Sequence, residues 1–184
     1  RVAAECVTII DDPLLKDGFA SVPFDAEGVP TFTKTVVEKG VLKTLLHNRT
    51  TAKAMGKETT GNAAKAGYAA PVRVAPTNFF IEPSQVSFDE LLEEVGNGLL
   101  ITSMMGMHSG ANQISGDFSL GAKGFLIENG KIGRPVEQIT IASNFFDILK
   151  NIRHTASDLR FGYPGSTTIG SPALDVGMIS VAGK

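Results

Sequence analysis

The sequence predicts an α+β fold: a curved mixed or antiparallel sheet with two main helices packed on it. A barrel-like arrangement is one option for that sheet. Short β-branched or alternating stretches between Gly and Pro residues predict several strands. Asn129-Gly130 lies between two such stretches and predicts a tight hairpin. Two segments with helical spacing begin at capping residues, Ser87 and Asn144.

Composition limits the functional classes. The 184 residues are 42% hydrophobic and carry a net charge of −2, which fits one folded domain spanning residues 1–184. Lys and Arg form no cluster, so a nucleic-acid footprint is not visible, and no apolar run is long enough for a membrane helix. A single cysteine, Cys6, favours a reducing, cytoplasmic location. Because a strand-like pattern begins at Val2, we expect a fragment of a longer protein.

The first half of the chain predicts mostly strands. Val2–Ile10 is a predicted strand that Asp11-Asp12-Pro13 ends. Thr31–Val37 and Val41–Leu46 predict a hairpin, and a short helix is predicted over Arg49–Lys57. Two Pro-bounded stretches predict edge strands; they are Pro71–Pro76 and Asn78–Pro83.

The second half contains the two main helices. Ser87 and Glu90 form a capping box that opens a helix ending near Gly96 or Gly98. Asn144 opens the second helix. The strands predicted here are a buried Leu99–Met105, the hairpin Gly124–Arg134, Val136–Ala142 and Ala173–Val181. The turns at Lys39-Gly40 and Asn129-Gly130 are alike, which suggests an internal duplication or two unrelated hairpins.

Polar and glycine residues converge between Leu99 and Gly130, where we expect a substrate groove. The groove candidates are Gly106, His108, Ser109, Asn112, Asp117 and Ser119. Each has a structural alternative: His108 as an exposed loop residue, Asp117 as a side chain bonded to its own backbone, and the glycines as turn residues. The nearby Met104, Met105 and Met107 fit either a core or an adaptable surface.

No catalytic centre is visible from the residues alone. The chain lacks a phosphate-binding loop, a dinucleotide-binding motif, the zinc motif H-E-x-x-H and the nucleophile motif G-x-S-x-G. Adjacent residues such as His108 and Ser109 usually point apart, so they do not predict a catalytic triad. His47 is interpreted as a surface turn residue and His154 as a residue at the end of the second helix.

Several spaced motifs together resemble the C-terminal region of the TldD/PmbA family, whose members are also called modulators of DNA gyrase. The resemblance covers nearly the whole chain, in order. The matching stretches are Asp11-Asp12-Pro13, the segment from Pro23 to Thr31, Thr60-Gly61-Asn62-Ala63, Pro76-Thr77-Asn78, Gly116-Asp117-Phe118-Ser119, the segment from Gly121 to Gly130, the segment from Pro135 to Ala142, and Val181-Ala182-Gly183-Lys184.

The resemblance implies a cytoplasmic, two-subunit peptidase in which family members carry an additional N-terminal domain. The TldD subunit would hold zinc through an H-E-x-x-x-H helix and a cysteine, while the PmbA or TldE subunit lacks those ligands. The family is associated with processing a peptide antibiotic precursor and with degrading unfolded or antitoxin peptides. The expected cysteine position falls at Gly121, which cannot bind zinc, so the chain resembles the non-metallo subunit.

These implications give three hypotheses. The first is a non-catalytic partner subunit that pairs with a TldD-type subunit or with itself and presents strand edges to an extended peptide or unfolded polypeptide. This chain would then contain no catalytic residue, metal or cofactor of its own, and zinc would belong to the TldD-type partner. The second is a metallopeptidase subunit in its own right. The third is a module that regulates DNA gyrase or its inhibitors, without direct contact to nucleic acid or membrane.

Overall fold

The computed structural model describes residues 1–183, and it confirms the α+β class. Its helices are α1 (Arg49–Ala54), α2 (Phe88–Val95), α3 (Met107–Gly110) and α4 (Phe145–Asn151). Its strands are β1 (Ile9–Asp11), β2 (Lys34–Glu38), β3 (Val41–Leu42), β4 (Ala63–Ala64), β5 (Arg73–Val74), β6 (Asn78–Ile81), β7 (Gly98–Met105), β8 (Asp117–Glu128), β9 (Lys131–Asn144), β10 (His154–Thr155), β11 (Arg160–Phe161), β12 (Thr168–Ser171), β13 (Leu174–Asp175) and β14 (Ser180–Ala182).

The described chain divides into two compact units. The first, unit 1, contains Arg1, Val7–Glu82 and Leu159–Pro172, and the second, unit 2, contains Val2–Cys6, Pro83–Asp158 and the segment from Ala173 onward. Among residues 1–183 the longest helix has eight residues, and none combines the length and hydropathy needed to cross a bilayer.

Unit 1 is built on a six-stranded mixed sheet with the order β11-β12-β6-β1-β2-β3. Only the β12–β6 pair is parallel among these neighbours. The predicted hairpin forms β2 and β3, whose turn places Lys39 and Gly40 at φ 44° and 75°. The predicted short helix is α1, which begins after a capping box formed by Asn48 and Thr51.

Two strand predictions in unit 1 are wrong in detail. The predicted strand Val2–Ile10 forms only from Ile9, because residues 2–6 belong to unit 2, where the Ala4 amide donates to the Leu149 carbonyl at 2.8 Å. The segment containing β6 is not an edge strand, since β6 lies between β12 and β1. Its flanking prolines, Pro76 and Pro83, fall outside the strand and remove no ladder hydrogen bond.

Unit 2 is built on a four-stranded antiparallel sheet with the order β14-β9-β8-β7. The β8–β9 hairpin turns at Asn129-Gly130, both with positive φ, as predicted. The buried side chains on its inner face form a core: Leu120, Ala122, Ile139 and Ile141. Helices α2 and α4 begin at Ser87 and Asn144, which confirms both predicted caps.

Three predictions in unit 2 need correction. β7 is not a buried strand: it is the edge of its sheet, and Met104 and Met105 are about half exposed. His154 is not at the end of α4 but lies in β10, where its Nδ1 is 3.1 Å from the Glu94 carboxylate. The predicted last strand, Ala173–Val181, is divided into β13 and β14.

Candidate functional site

The groove predicted between Leu99 and Gly130 corresponds to a compact loop between β7 and β8. Gly106 has φ 85°, a left-handed conformation that ends β7 and starts the single turn α3. At the other end of α3, Gly110 lies against the Ser119 carbonyl so closely that a Cβ atom would collide with it. The glycine at position 110 is therefore required for α3 to pack against β8.

Asn112 organises the rest of this loop. Its side-chain oxygen accepts hydrogen bonds from the amides of Ile114 and Ser115, at 2.9 and 3.1 Å. Its backbone amide donates to the Asp117 carbonyl at 2.8 Å, and its carbonyl accepts from the Gly116 amide at 2.9 Å. The Asn112 side chain thus mimics a backbone turn and fixes where β8 begins.

The Asp117 carboxylate is held by a side chain outside its own turn. Asn144 Nδ2 donates to its Oδ1 at 2.8 Å and also to the Ser115 carbonyl at 2.8 Å. Hydrogen bonding by the Asn144 side chain, and secondarily by Ser115, lowers the pKa of Asp117. A carboxylate with a lowered pKa is a weak proton acceptor near neutral pH, so this geometry favours a binding or structural role over general-base catalysis.

Four of the six predicted groove residues line one open depression: Ser109, Asn112, Asp117 and Ser119. Its other lining residues are Gly110, Ala111, Gln113, Ile114 and Phe118. His108 is exposed on α3 and, like Gly106, is not among the described lining residues. The Ser109 hydroxyl donates to the Gly106 carbonyl at 3.4 Å, which does not create an activated nucleophile.

The described residues do not fit a zinc centre. Gly121, the expected cysteine position, faces Met105, and a Cβ atom there would meet the Met105 side chain at 3.7 Å. No group of three or more His, Cys, Asp and Glu residues capable of holding a metal occurs within residues 1–183. The only cysteine of the sequence, Cys6, is an exposed residue whose Sγ lies 3.4 Å from the Ile152 carbonyl, and partial desolvation of the sulfur raises the pKa of its thiol.

A second polar cluster lies in unit 1, and the sequence did not predict that its residues come together. The buried Asp11 carboxylate accepts hydrogen bonds from Lys34 Nζ (3.1 Å), Asn62 Nδ2 (2.7 Å), and the Thr77 amide (2.7 Å) and hydroxyl (2.8 Å). Three of the motifs that carry the family resemblance therefore meet at one carboxylate. Their separate positions in the sequence gave no signal of this convergence.

Two buried asparagines and a histidine extend this cluster. The Asn62 side-chain oxygen accepts from the Thr60 hydroxyl at 2.7 Å, and Asn78 Nδ2 donates to the Asp12 carbonyl at 2.8 Å. His47 is buried, so the prediction of a surface turn residue is wrong. Its backbone amide and carbonyl both form hydrogen bonds with the Thr60 hydroxyl. No buried side-chain nitrogen or oxygen within residues 1–183 lacks a partner, so the cluster is a satisfied structural network.

Comparisons with known proteins agree with the predicted family. A family model described as the PmbA/TldA metallopeptidase C-terminal domain matches residues 1–183. A metalloprotease of Methanothermobacter thermautotrophicus is 39% identical over 162 residues, covering 88% of this chain and 35% of that protein. A Haemophilus influenzae PmbA homologue, also named a metalloprotease, is 36% identical over 98% of this chain and 37% of its own length. The TldD homologue of that organism is 29% identical over 100% of this chain and 40% of its own.

Solved structures show the same fold. A Thermotoga maritima protein, designated a candidate modulator of a DNA gyrase, matches with TM-score 0.88 and 44% identity, over 98% of this chain and 40% of that one. TldE from Thermococcus kodakarensis matches with TM-score 0.88 and 26% identity, over 99% and 41% respectively. The chain spans little more than a third of the length of the curated relatives cited.

Proposed function

Because the chain belongs to the PmbA/TldA metallopeptidase C-terminal domain family, we propose that it is the C-terminal domain of a non-catalytic partner subunit. The complex would be a cytoplasmic zinc metallopeptidase that processes or degrades peptides, with zinc bound by a TldD-type subunit. The two Haemophilus influenzae relatives support a PmbA-type rather than a TldD-type chain, since the PmbA homologue is 36% identical to the chain and the TldD homologue 29%.

The observation that carries the proposal concerns the position at which zinc-binding family members would have a cysteine. A cysteine binds zinc as the thiolate. Cys6 is the only cysteine of the sequence, and its Sγ lies 3.4 Å from the Ile152 carbonyl oxygen. Gly121, the position at which the resemblance places the TldD-type cysteine, has no side chain to coordinate a metal.

The substrate would be an extended peptide or an unfolded polypeptide that adds to a strand edge. β7 is an edge strand that contains no charged residue or proline, two of the usual protections against pairing with another strand. Its pairing with β8 shifts register between Ile101 and Ser103, so the regular stretches lie on either side of that irregularity. The depression containing Asn112, Asp117 and Ser119 lies at the start of the neighbouring β8. In this proposal, β7 holds the peptide backbone and the depression contacts its side chains.

The proposal is tested with the full-length natural protein and a TldD-type subunit from the same organism. Hydrolysis of an unfolded substrate such as casein is measured for each protein alone and for the pair. We expect hydrolysis that requires the TldD-type subunit and increases when both are present. Zinc-dependent hydrolysis by the full-length protein alone would instead favour the metallopeptidase alternative, consistent with the names of its relatives.

The designation of the Thermotoga maritima structure favours a second candidate function, regulation of DNA gyrase. The net charge of −2 gives no support for direct DNA contact. A supercoiling assay with and without the full-length protein, together with salt-dependent DNA binding, separates this candidate from the peptidase. Inhibition or stimulation of gyrase at stoichiometric protein, without peptide hydrolysis, would support it.

A further inference from the structure

Asp117 gives the depression at the start of β8 a negative charge. Among the lining residues that the structure describes, it alone has an ionisable side chain; the others are small, apolar, hydroxyl or amide residues. Hydrogen bonding by Asn144 lowers the pKa of Asp117, so the carboxylate is ionised at neutral pH. The described lining thus presents one negative charge in an otherwise uncharged setting.

The carboxylate of Asp117 retains the capacity to bind a ligand. The residue is exposed, and Asn144 Nδ2 donates to its Oδ1 at 2.8 Å. Because an ionised carboxylate accepts about four hydrogen bonds, acceptor sites remain for an incoming donor. Asn144 is itself held at the start of α4, where its side-chain oxygen accepts from the Phe146 amide at 2.9 Å. The position of the negative charge is therefore set before a ligand arrives.

The alternation of β8 places Asp117 on the outer face of the unit 2 sheet. Leu120 and Ala122 are buried in the core, so Asp117 and Gly121, at the alternate positions, lie on the opposite face. Gly121 is paired with Met105, the last residue of β7, and lies about 13 Å along β8 from Asp117. A peptide that is held by β7 and continues past Met105 therefore approaches the depression.

The apolar part of the lining fits the stem of a long side chain. Ile114, which is 92% exposed, and Phe118 both line the depression beside Asp117. Arginine and lysine lay their methylene groups on apolar surface while the charged end reaches a polar partner. A neutral side chain would gain only the apolar contact here, and an acidic side chain would be repelled by the carboxylate.

We propose that this depression binds the side chain of an arginine or lysine in an extended peptide, with Asp117 as the residue that determines this specificity; the inference rests on the proposed function. A guanidinium group donates two parallel hydrogen bonds to a carboxylate, whereas an ammonium group acts as a point charge. Arginine is therefore the preferred occupant. The substrate class is a peptide with a basic residue near the segment that pairs with β7.

The test measures peptide binding to the full-length natural protein, in buffer with EDTA so that no metal-dependent hydrolysis occurs. The probes are short threonine-rich peptides with acetylated and amidated ends and a central Arg, citrulline or Glu. Citrulline has the shape of arginine without its charge. We expect the Arg peptide to bind about fivefold more tightly than the citrulline peptide, and the Glu peptide to bind most weakly. Added salt should reduce the advantage of the Arg peptide.

Three variants isolate the role of the carboxylate. Asp117→Asn removes the charge but keeps an oxygen that can accept from Asn144, so hydrogen exchange of residues 107–119 should match wild type while the Arg advantage is lost. Glu137→Gln is the matched control, because it removes the same charge from an exposed position of β9 outside the described lining; the Arg advantage should persist. Asp117→Lys should reverse the preference in favour of the Glu peptide, which a merely structural role would not produce.

Equal binding of the Arg and citrulline peptides to wild type, or an Arg advantage that persists in Asp117→Asn, would overturn the inference. A citrulline peptide with a free N-terminus that binds as tightly as the blocked Arg peptide would assign the carboxylate to a peptide α-amino group instead. Casein hydrolysis by the pair of subunits without an Asp117-dependent preference would contradict only this inference. The preference without any hydrolysis by the pair would contradict only the proposed function.

Discussion

Single residues connect distant parts of this sequence, and Asp11 is the clearest case. The side chain is fully buried, yet its carboxylate has four hydrogen-bond donors, one of them the buried Lys34 ammonium group. Burying a charge is unfavourable unless it is paired and hydrogen-bonded, so each donor compensates for the loss of water. Removing any one partner should therefore be costly.

For Asp11→Asn we predict a loss of roughly 3–5 kcal/mol in the free energy of unfolding, because the Lys34 charge remains buried without its partner. The measurement is chemical denaturation followed by circular dichroism. Glu38→Gln is the matched control, since Glu38 pairs with Lys43 on the exposed surface at 2.8 Å and should contribute little. An Asp11→Asn variant as stable as this control would contradict the structural role of the pair.

A second residue-scale prediction concerns the pKa of Asp117. Asn144→Ser keeps an oxygen that caps α4 but removes the amide that donates to the Asp117 carboxylate. We expect the pKa of Asp117 to rise towards its ordinary value, because the ionised form loses its main hydrogen bond. An NMR titration of the carboxyl carbon measures the shift. A pKa that stays at the wild-type value would contradict the assigned cause.

Gly110 gives a third test at this scale. A Cβ atom at this position collides with the Ser119 carbonyl, so Gly110→Ala should displace α3 from β8 and lower stability. Gly67→Ala is the matched control, because open space surrounds Gly67. Hydrogen exchange of the amides in residues 107–119 should accelerate only in the Gly110 variant. Equal exchange in both variants would show that the contact is not required.

At the scale of elements, local chemistry determines where helices begin. Ser87 and Glu90 bond reciprocally: the Glu90 amide donates to the Ser87 hydroxyl at 3.2 Å, and the Ser87 amide donates to the Glu90 carboxylate at 2.7 Å. The hydrogen bond from the Ser87 amide lowers the pKa of Glu90. Its contribution to stability is therefore present above the pKa of the unfolded chain and is lost as pH falls through the lower folded value.

We predict that Ser87→Ala reduces the free energy of unfolding by about 1 kcal/mol, because the first turn of α2 loses a capping acceptor. Ser87→Thr is the control that preserves the capping oxygen. Thermal denaturation at neutral pH measures both variants. If Ser87→Ala and Ser87→Thr had the same Tm, the capping hydrogen bond would not stabilise the helix.

Helix caps and turns that depend on neighbouring residues were predictable from the sequence. Strand bounds, strand order and burial that depend on distant contacts were not. The caps at Ser87 and Asn144 and the turn at Asn129-Gly130 depend on residues within four positions, and all three were correctly identified. The late start of β1, the interior place of β6 and the burial of His47 depend on partners far along the chain. Four of the six predicted groove residues do share a depression, but the Asp11 network was missed for the same reason.

At the scale of the whole molecule, the comparisons show the family and the fold, and the proposed function assigns the metal to a partner subunit. In the proposed function the β7 edge is the surface that would hold a peptide. The same proposal requires that the metal-binding chemistry reside in the partner. The content of zinc in each protein therefore tests that assignment directly.

The decisive measurement is elemental analysis of zinc in the full-length natural protein, purified alone and in complex with its TldD-type partner. We predict no stoichiometric zinc in the protein alone and one zinc per heteromeric complex, because position 121 is a glycine and no group of three or more potential metal ligands occurs within residues 1–183. One zinc per chain in the protein purified alone would contradict the assignment of a non-catalytic subunit and place the metal centre within this protein.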